Sequence, residues 1–212
     1  LGYGILGINK LIPTLVTLHH PITVDRRLEI EAAPNWRKRR SIGRWYGFVK
    51  MQGRVAQRMP RIVVVSENSI QDIHTDMGVA LENMRLVPVG VDPDLFKPVP
   101  GVERIPGRLI TTASADVALK GQAYLIEAMA KLRADGHDIT LTIIGKPKPG
   151  KSMGLIDEYG LAPFIDFVSG VTDERIVELY SQAELAVVPS LYEGFSLPAI
   201  EAMCSGTPLV AT

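Results

Sequence analysis

One cysteine, Cys204, is all the thiol this chain has. An internal disulfide is thereby excluded, and nothing suggests a cysteine-built metal site. Surplus charge is absent as well. Against 23 Lys and Arg stand 23 Asp and Glu, so there is no bulk positive field with which to grip nucleic acid. Long apolar runs are missing: none reaches the roughly 18 residues that a membrane span requires. The start is apolar but lacks the basic leader of a secretory signal, and a cytoplasmic protein is the expectation. The initiator Met is missing too. Residues 1–8 read as the middle of a fold, and Thr212 follows directly on an apolar strand, so a piece of a longer protein is expected. Internal repeats and low-complexity tracts are not found.

What is there is an ordinary globular composition, 46% apolar over 212 residues, enough for one large domain or two small ones. In the first half, residues 14–18 read as a short buried strand and residues 21–35 as polar and irregular. Apolar positions at Trp45, Phe48, Val49, Val55 and Met59 predict one helix over 41–59, broken by Pro60. A strand over 61–65 follows. Ser66 is placed to cap a helix over 70–77 that Gly78 stops, and 84–89 reads as another strand. Residues 91–101 carry three prolines and read as an interdomain linker.

The second half alternates. Strands are expected at 108–112, 139–144, 165–168, 185–188 and 208–211. Helices are expected between them at 122–134, 154–159, 173–182 and 199–204. Alternation at this spacing predicts a parallel, doubly wound sheet, whose ligands bind at the carboxyl ends of its strands.

The densest chemistry lies in Glu193-Gly-Phe-Ser-Leu-Pro-Ala-Ile-Glu201. Two carboxylates flank a turn that enters a helix. Ser196 is a natural cap and Pro198 suits the first turn, where a missing N–H does no harm. The amides of Phe195, Ser196 and Leu197 would then point from a helix N-terminus, a place where phosphate binds well. Carboxylates repel phosphate and suit hydroxyls instead. A diphosphate between two sugar rings needs both kinds of group.

This stretch, with Ala-Met-Cys-Ser-Gly-Thr-Pro after it, resembles the signature of the retaining nucleotide-sugar glycosyltransferases of family 4. The resemblance implies an α/β protein of the GT-B fold: two Rossmann-like, doubly wound domains facing a cleft. Residues 1–97 would be a partial acceptor-side domain that ends in Val-Gly-Val-Asp-Pro-Asp-Leu-Phe-Lys-Pro. Residues 98–212 would be the nucleotide-sugar-binding domain without its last elements. The family's first strands, upstream glycine-rich loop and final crossover helix are not in this sequence, so little or no turnover is expected of the 212-residue piece by itself.

The resemblance also implies roles. Glu193 would orient the donor sugar and Glu201 would hold the ribose hydroxyls. Gly194, Phe195, Ser196 and Leu197 would receive the sugar and diphosphate through their backbone. Lys120, before Gly121, would place a point charge on the diphosphate. His19 (the first of a His19-His20 pair after an N-domain strand) would face the donor across the cleft. Val171 would read the nucleotide base through its backbone, and Gly145 would allow close approach. One departure is plain. The family pairs the Lys with an Arg five or six residues earlier, where this chain has Ser114 or Ala115 and then Asp116. A weaker donor site, a cation from elsewhere, or altered leaving-group chemistry would follow.

The expected reaction moves a sugar from a nucleoside-diphosphate sugar to an acceptor hydroxyl with retention, the leaving phosphate acting as base. No cofactor and no metal are implied. A sugar-nucleotide epimerase or phosphorylase on the same fold is an alternative, as is a non-catalytic nucleotide-sugar-binding module. The base, the donor sugar and the acceptor (sugar, lipid-linked or polysaccharide) stay open. The basic run Arg37, Lys38, Arg39 and Arg40, with Arg44 and Trp45 beyond, reads first as a solvated helix face. Its alternative is a contact with an anionic acceptor or with the inner face of a membrane. Nothing in it suggests base readout, and nucleic acid is not an expected partner.

Overall fold

The computed structural model describes residues 2–112 and 116–212. The chain divides into two compact units. One contains Leu1–Val89 together with Glu193–Phe195; the other contains Gly90–Tyr192 and Ser196–Thr212.

The first unit opens with a short helix, α1 (Gly4–Ile8), and strand β1 (Val16–Leu18). Helix α2 (Ile22–Glu31) follows, so the expectation of an irregular 21–35 is corrected. Pro21 starts α2 from an extended conformation, the buried Val24 anchors it, and Glu29 accepts a 2.8 Å hydrogen bond from the Tyr46 hydroxyl. Tertiary contacts of this kind outweigh a weak local pattern. The single helix expected over 41–59 is also corrected. It begins earlier, as α3 (Trp36–Trp45), because the Asn35 side chain caps it by accepting from the Lys38 amide at 2.9 Å. It then tightens through a 3₁₀ turn, Tyr46–Phe48, before α4 (Val49–Ala56). Gly43 just before that turn and Gly47 within it weaken the continuous helix.

Strand β2 (Ile62–Val64) leads to α5 (Glu67–Met77) and β3 (Met84–Leu86). Ser66 caps α5 by accepting from the Ser69 amide at 3.1 Å, and Gly78 ends it at φ 67°, both as the sequence predicts. The strands form a parallel sheet in the order β1-β2-β3, with Val16 opposite Ile62 and Ile62 opposite Met84. Met59, Ile62, Val64, Ile73 and Met84 form its core.

The second unit carries β4 (Ile105–Thr112), α6 (Gln122–Ala134), β5 (Thr140–Ile144), α7 (Lys151–Glu158), β6 (Ile165–Val168), α8 (Asp173–Gln182), β7 (Ala183–Val188), α9 (Leu197–Cys204) and β8 (Leu209–Ala211). Its sheet is parallel throughout, in the order β6-β5-β4-β7-β8. Successive residues face opposite sides, as the two-residue period of a strand demands. Leu109, Leu141 and Ile143 pack with α6 and α7 residues Ile126, Met129 and Ile156. Ile110 and Ala186 pack with Val177 and Tyr180 of α8 and Ala202 of α9. Both faces are therefore covered, which is why these strands read as nearly continuous apolar runs. The chain winds from β4 outward to β6, then returns to place β7 on the other side of β4. The order reverses between β4 and β7, and the crevice at their carboxyl ends is the natural ligand position of such a sheet.

Candidate functional site

Two loops emerge at that reversal. The loop after β4 carries Lys120 at the end of a 3₁₀ turn, Ala118–Lys120, and Gly121 follows in the left-handed region at φ 62°. The loop after β7 runs beside it, and the Leu191 amide donates to the Leu119 carbonyl at 2.8 Å. Ser114 and Ala115, where the family pattern has an Arg, lie outside the described residues. Asp116 is committed elsewhere. Its carboxylate accepts from the Ser152 amide at 3.0 Å and from the Ser152 hydroxyl at 2.6 Å, a negative cap on the N-terminus of α7.

Ser196 is the residue from which α9 starts, with extended backbone and Pro198 in the first turn. Its side chain does not cap the helix, contrary to the sequence expectation. A cap oxygen accepts from the second or third amide of a helix, and Pro198 removes the nearer one. The Ser196 Oγ is instead buried with no hydrogen-bond partner. A buried hydroxyl left unmatched is costly, and it stands at a helix start, where backbone donors already favour an anion. Leu197 is the first helical residue.

Glu201 lies one turn into α9. Its Oε2 accepts from the Tyr180 hydroxyl at 3.3 Å, and the Tyr180 oxygen also lies 3.0 Å from the Thr112 hydroxyl at the end of β4. Burial raises the Glu201 pKa above the usual carboxylate value; the Tyr180 hydrogen bond opposes this, and the charge of Asp173 adds to it. Burial likewise pushes the Tyr180 hydroxyl up, against the Thr112 hydrogen bond and with the charge of Glu201. Tyr180 is thus held as the neutral phenol, a donor.

Gly145 directly follows β5, its amide donating to the Val168 carbonyl at 2.8 Å. With Val171 it borders a cleft of about 300 Å³ that is also lined by Lys146, Lys148, Ser169 and Ile176. The lysines were not singled out from sequence, although a Gly-Lys-Pro-Lys-Pro-Gly loop after a strand was a readable signal. Tyr180 and Thr112 gave no such signal: they look like ordinary core positions.

In the first unit His19 follows β1. Its side chain is exposed, and its carbonyl accepts from the Ser69 hydroxyl at 2.7 Å. His20 pairs with Asp25 at 2.9 Å. Both histidines line a pocket of about 260 Å³ with Leu18, Ile22, Gln52 and Met77. The same unit holds Glu193, Gly194 and Phe195. A β-carbon on Gly194 would lie 2.4 Å from the His19 carbonyl oxygen, so only glycine fits there. The predicted residues thus fall into two groups. Gly145, Lys120, Val171, Ser196, Leu197 and Glu201 belong to the second unit, and His19, Glu193, Gly194 and Phe195 to the first.

Arg37, Lys38, Arg39, Arg40 and Arg44 are exposed along α3, which buries no residue. Trp36 and Trp45 at its ends are 65% and 75% exposed. Among the described residues no helix is long and apolar enough to cross a membrane, and no group of three or more His, Cys, Asp or Glu is placed to hold a metal ion.

The chain resembles known proteins along nearly its whole length. Residues 104–212 match the family described as Glycosyl transferases group 1, and residues 1–95 match Glycosyltransferase Family 4. An MMP alpha-(1->4)-mannosyltransferase of Mycolicibacterium hassiacum is 49% identical over the whole chain, which covers 51% of that protein. The chain spans about half the length, or less, of the curated relatives it matches. Among solved structures, a sucrose-phosphate synthase from Thermosynechococcus elongatus superposes with a TM-score of 0.72 at 25% identity, over 98% of this chain and 53% of that one. Anabaena HepE in complex with UDP-glucose gives 0.71 at 21% identity, over 98% and 55%. The fold is GT-B, and the chain belongs to the glycosyl transferases group 1 family.

Proposed function

We propose that the protein transfers a sugar from a nucleoside-diphosphate sugar to an acceptor hydroxyl, with retention at the anomeric carbon. The observation that carries this is the contact, at the β4/β7 reversal, between the Lys120 loop and the loop that leads from β7 to α9 and its half-buried Glu201. A cation and helix amides suit a diphosphate, and a carboxylate suits ribose hydroxyls. The name of the 49%-identical relative favours a mannosyl unit, and the HepE complex is an instance of this fold holding a nucleotide sugar.

In this reading Lys120 and the amides at Ser196 and Leu197 take the charge that develops on the leaving diphosphate. The unmatched Ser196 hydroxyl gains its partner there. Glu201 fixes the ribose, Val171 and Gly145 border the base, and Glu193 and Gly194 serve the donor sugar. Lys146 and Lys148 line the cleft that Gly145 and Val171 border, and in this reading they are the alternative source of positive charge for the family's missing Arg. The leaving phosphate takes the proton of the incoming hydroxyl. Calorimetry of the longest natural polypeptide carrying this sequence, titrated with UDP, GDP and ADP beside a Glu201→Ala variant, tests the reading. One nucleotide should bind, and the variant should bind it more weakly; no binding to any of the three overturns it.

A contact with anionic lipid belongs to the same proposal. The exposed indoles of Trp36 and Trp45 favour it over a merely solvated helix face, because apolar rings beside arginines suit a headgroup layer.

A further inference from the structure

Tyr180 is 1% exposed, yet its one polar atom is turned toward the site. On this residue of α8 meet β4, α9 and the turn after α9. Its hydroxyl lies 3.0 Å from Thr112 at the end of β4, 3.3 Å from the Glu201 carboxylate and 3.5 Å from the Pro198 carbonyl. Its own carbonyl accepts a 2.6 Å hydrogen bond from Thr207, in the turn after α9. α8 packs on the same face of the sheet as α9, which is how a residue in the last turn of α8 reaches both ends of α9.

We propose that Tyr180 is the positioning residue of the donor site: it holds the Glu201 carboxylate in the rotamer that accepts the ribose hydroxyls. The inference rests on the reading of Glu201 given above. A phenol carries one proton. The carboxylate is a stronger acceptor than the Pro198 carbonyl, so Tyr180 donates to Glu201 and Thr112 donates to the Tyr180 oxygen. The chain of donors runs Thr112 to Tyr180 to Glu201, and it starts on the central strand of a rigid sheet. A glutamate on a helix surface has several rotamers and loses conformational freedom when a ligand fixes it. Here that loss is met in the free protein. The second Glu201 oxygen and the open lone pairs of the first are left for the ligand. Because burial disfavours the charged form of this carboxylate, a donor aimed at it has a clear electrostatic use.

The test uses the same natural polypeptide, with Tyr180→Phe, Thr112→Val and Glu201→Ala. Each is titrated with UDP, GDP and ADP and with their 2′,3′-dideoxy counterparts, which lack the hydroxyls assigned to Glu201. Tyr180→Phe keeps the ring and removes only the donor. It should weaken the nucleotide that binds by about ten-fold, the scale of one hydrogen bond to a charged group, and leave the dideoxy form unchanged. Glu201→Ala should show the same pattern more strongly. Thr112→Val does not touch the ring, and should give a smaller loss of the same pattern; it serves if the Phe variant is too unstable to titrate. Equal losses on ribose and dideoxy ligands would mean that Tyr180 only supports the fold, and no loss on either would mean that Glu201 needs no holding; each overturns the inference. If Glu201→Ala itself binds like the wild type, or no nucleotide binds, the donor-site reading fails first and this inference falls with it. A failure in the Tyr180 and Thr112 arms alone leaves that reading standing.

Discussion

A β-carbon on Gly121 would sit 1.7 Å from the carbonyl oxygen of Pro189. The loop that bears Lys120 therefore lies directly against the loop that leaves β7, with no room for any side chain between them. Gly121 also has φ 62°, a conformation L-residues adopt at a cost. Gly121→Ala should destabilise the protein by roughly 3 kcal/mol or more, since backbone and not a flexible tip must move. Urea unfolding checks this. A loss under about 1 kcal/mol would mean that the two loops separate easily and that Lys120 is not held in place.

Lys120 is expected to act on phosphate and not on the base. Lys120→Ala should weaken a nucleoside diphosphate by roughly ten- to a hundred-fold while leaving the bare nucleoside unaffected. Lys120→Arg should recover part of the loss, because a charge returns with different geometry. Competition titrations with nucleoside, monophosphate and diphosphate separate these outcomes. Equal loss on all three would place Lys120 outside the phosphate site.

The half-buried Glu201 gives a stability prediction with a definite sign. Its pKa is raised in the folded protein, so the folded state holds this proton more tightly than the unfolded state does. Stability from that difference is present below the unfolded value, ordinarily 4.5, and is lost as pH rises through the folded one. Glu201→Gln removes the titration. The variant should match the wild type in acid and melt higher at neutral pH, even as nucleotide binding weakens. Thermal melts across the acid-to-neutral range decide it; a neutral-pH variant that melts below the wild type would show that the carboxylate contributes net stability.

Helix α3 should bind anionic vesicles. Reversing Arg37, Arg39 and Arg40 to Glu should abolish co-sedimentation with phosphatidylserine-containing vesicles, and raised salt should weaken the wild type's binding. Trp45→Ala by itself should weaken the wild type's binding without altering its salt response. Wild-type protein that ignores such vesicles would leave α3 as a solvated face.

Much of this was legible in the amino acids. The bounds of α6, β6 and α8 follow from periodicity alone, and Ser66 and Gly78 mark the start and stop of α5. Parallel alternation pointed to strand ends, and Lys120, Gly145 and Val171 lie in the segments after β4, β5 and β6, while Glu201 lies one turn into the helix after β7. What was hidden depends on distant partners. α2 is secured by Tyr46 reaching Glu29, 17 positions away in the chain, and the pattern over 41–59 says nothing of the turn at Tyr46. Ser196 looked like a cap because Ser before a helix usually is one; the effect of Pro198 on the available amides decides otherwise. Tyr180 could not be singled out, since only the fold brings its hydroxyl to Glu201.

The position of β4 bears on how the protein comes to fold at all. Ile110 is flanked by Thr142 on one side and Ala186 on the other. On the ribosome the middle strand of the sheet therefore appears first, and one of its edges waits unpaired until β7 has been made. That edge is a row of free amides and carbonyls beside an apolar residue, ready to pair with another chain. Mutations that slow or weaken β7 should thus show up first as lower soluble yield, before any loss of activity per folded molecule.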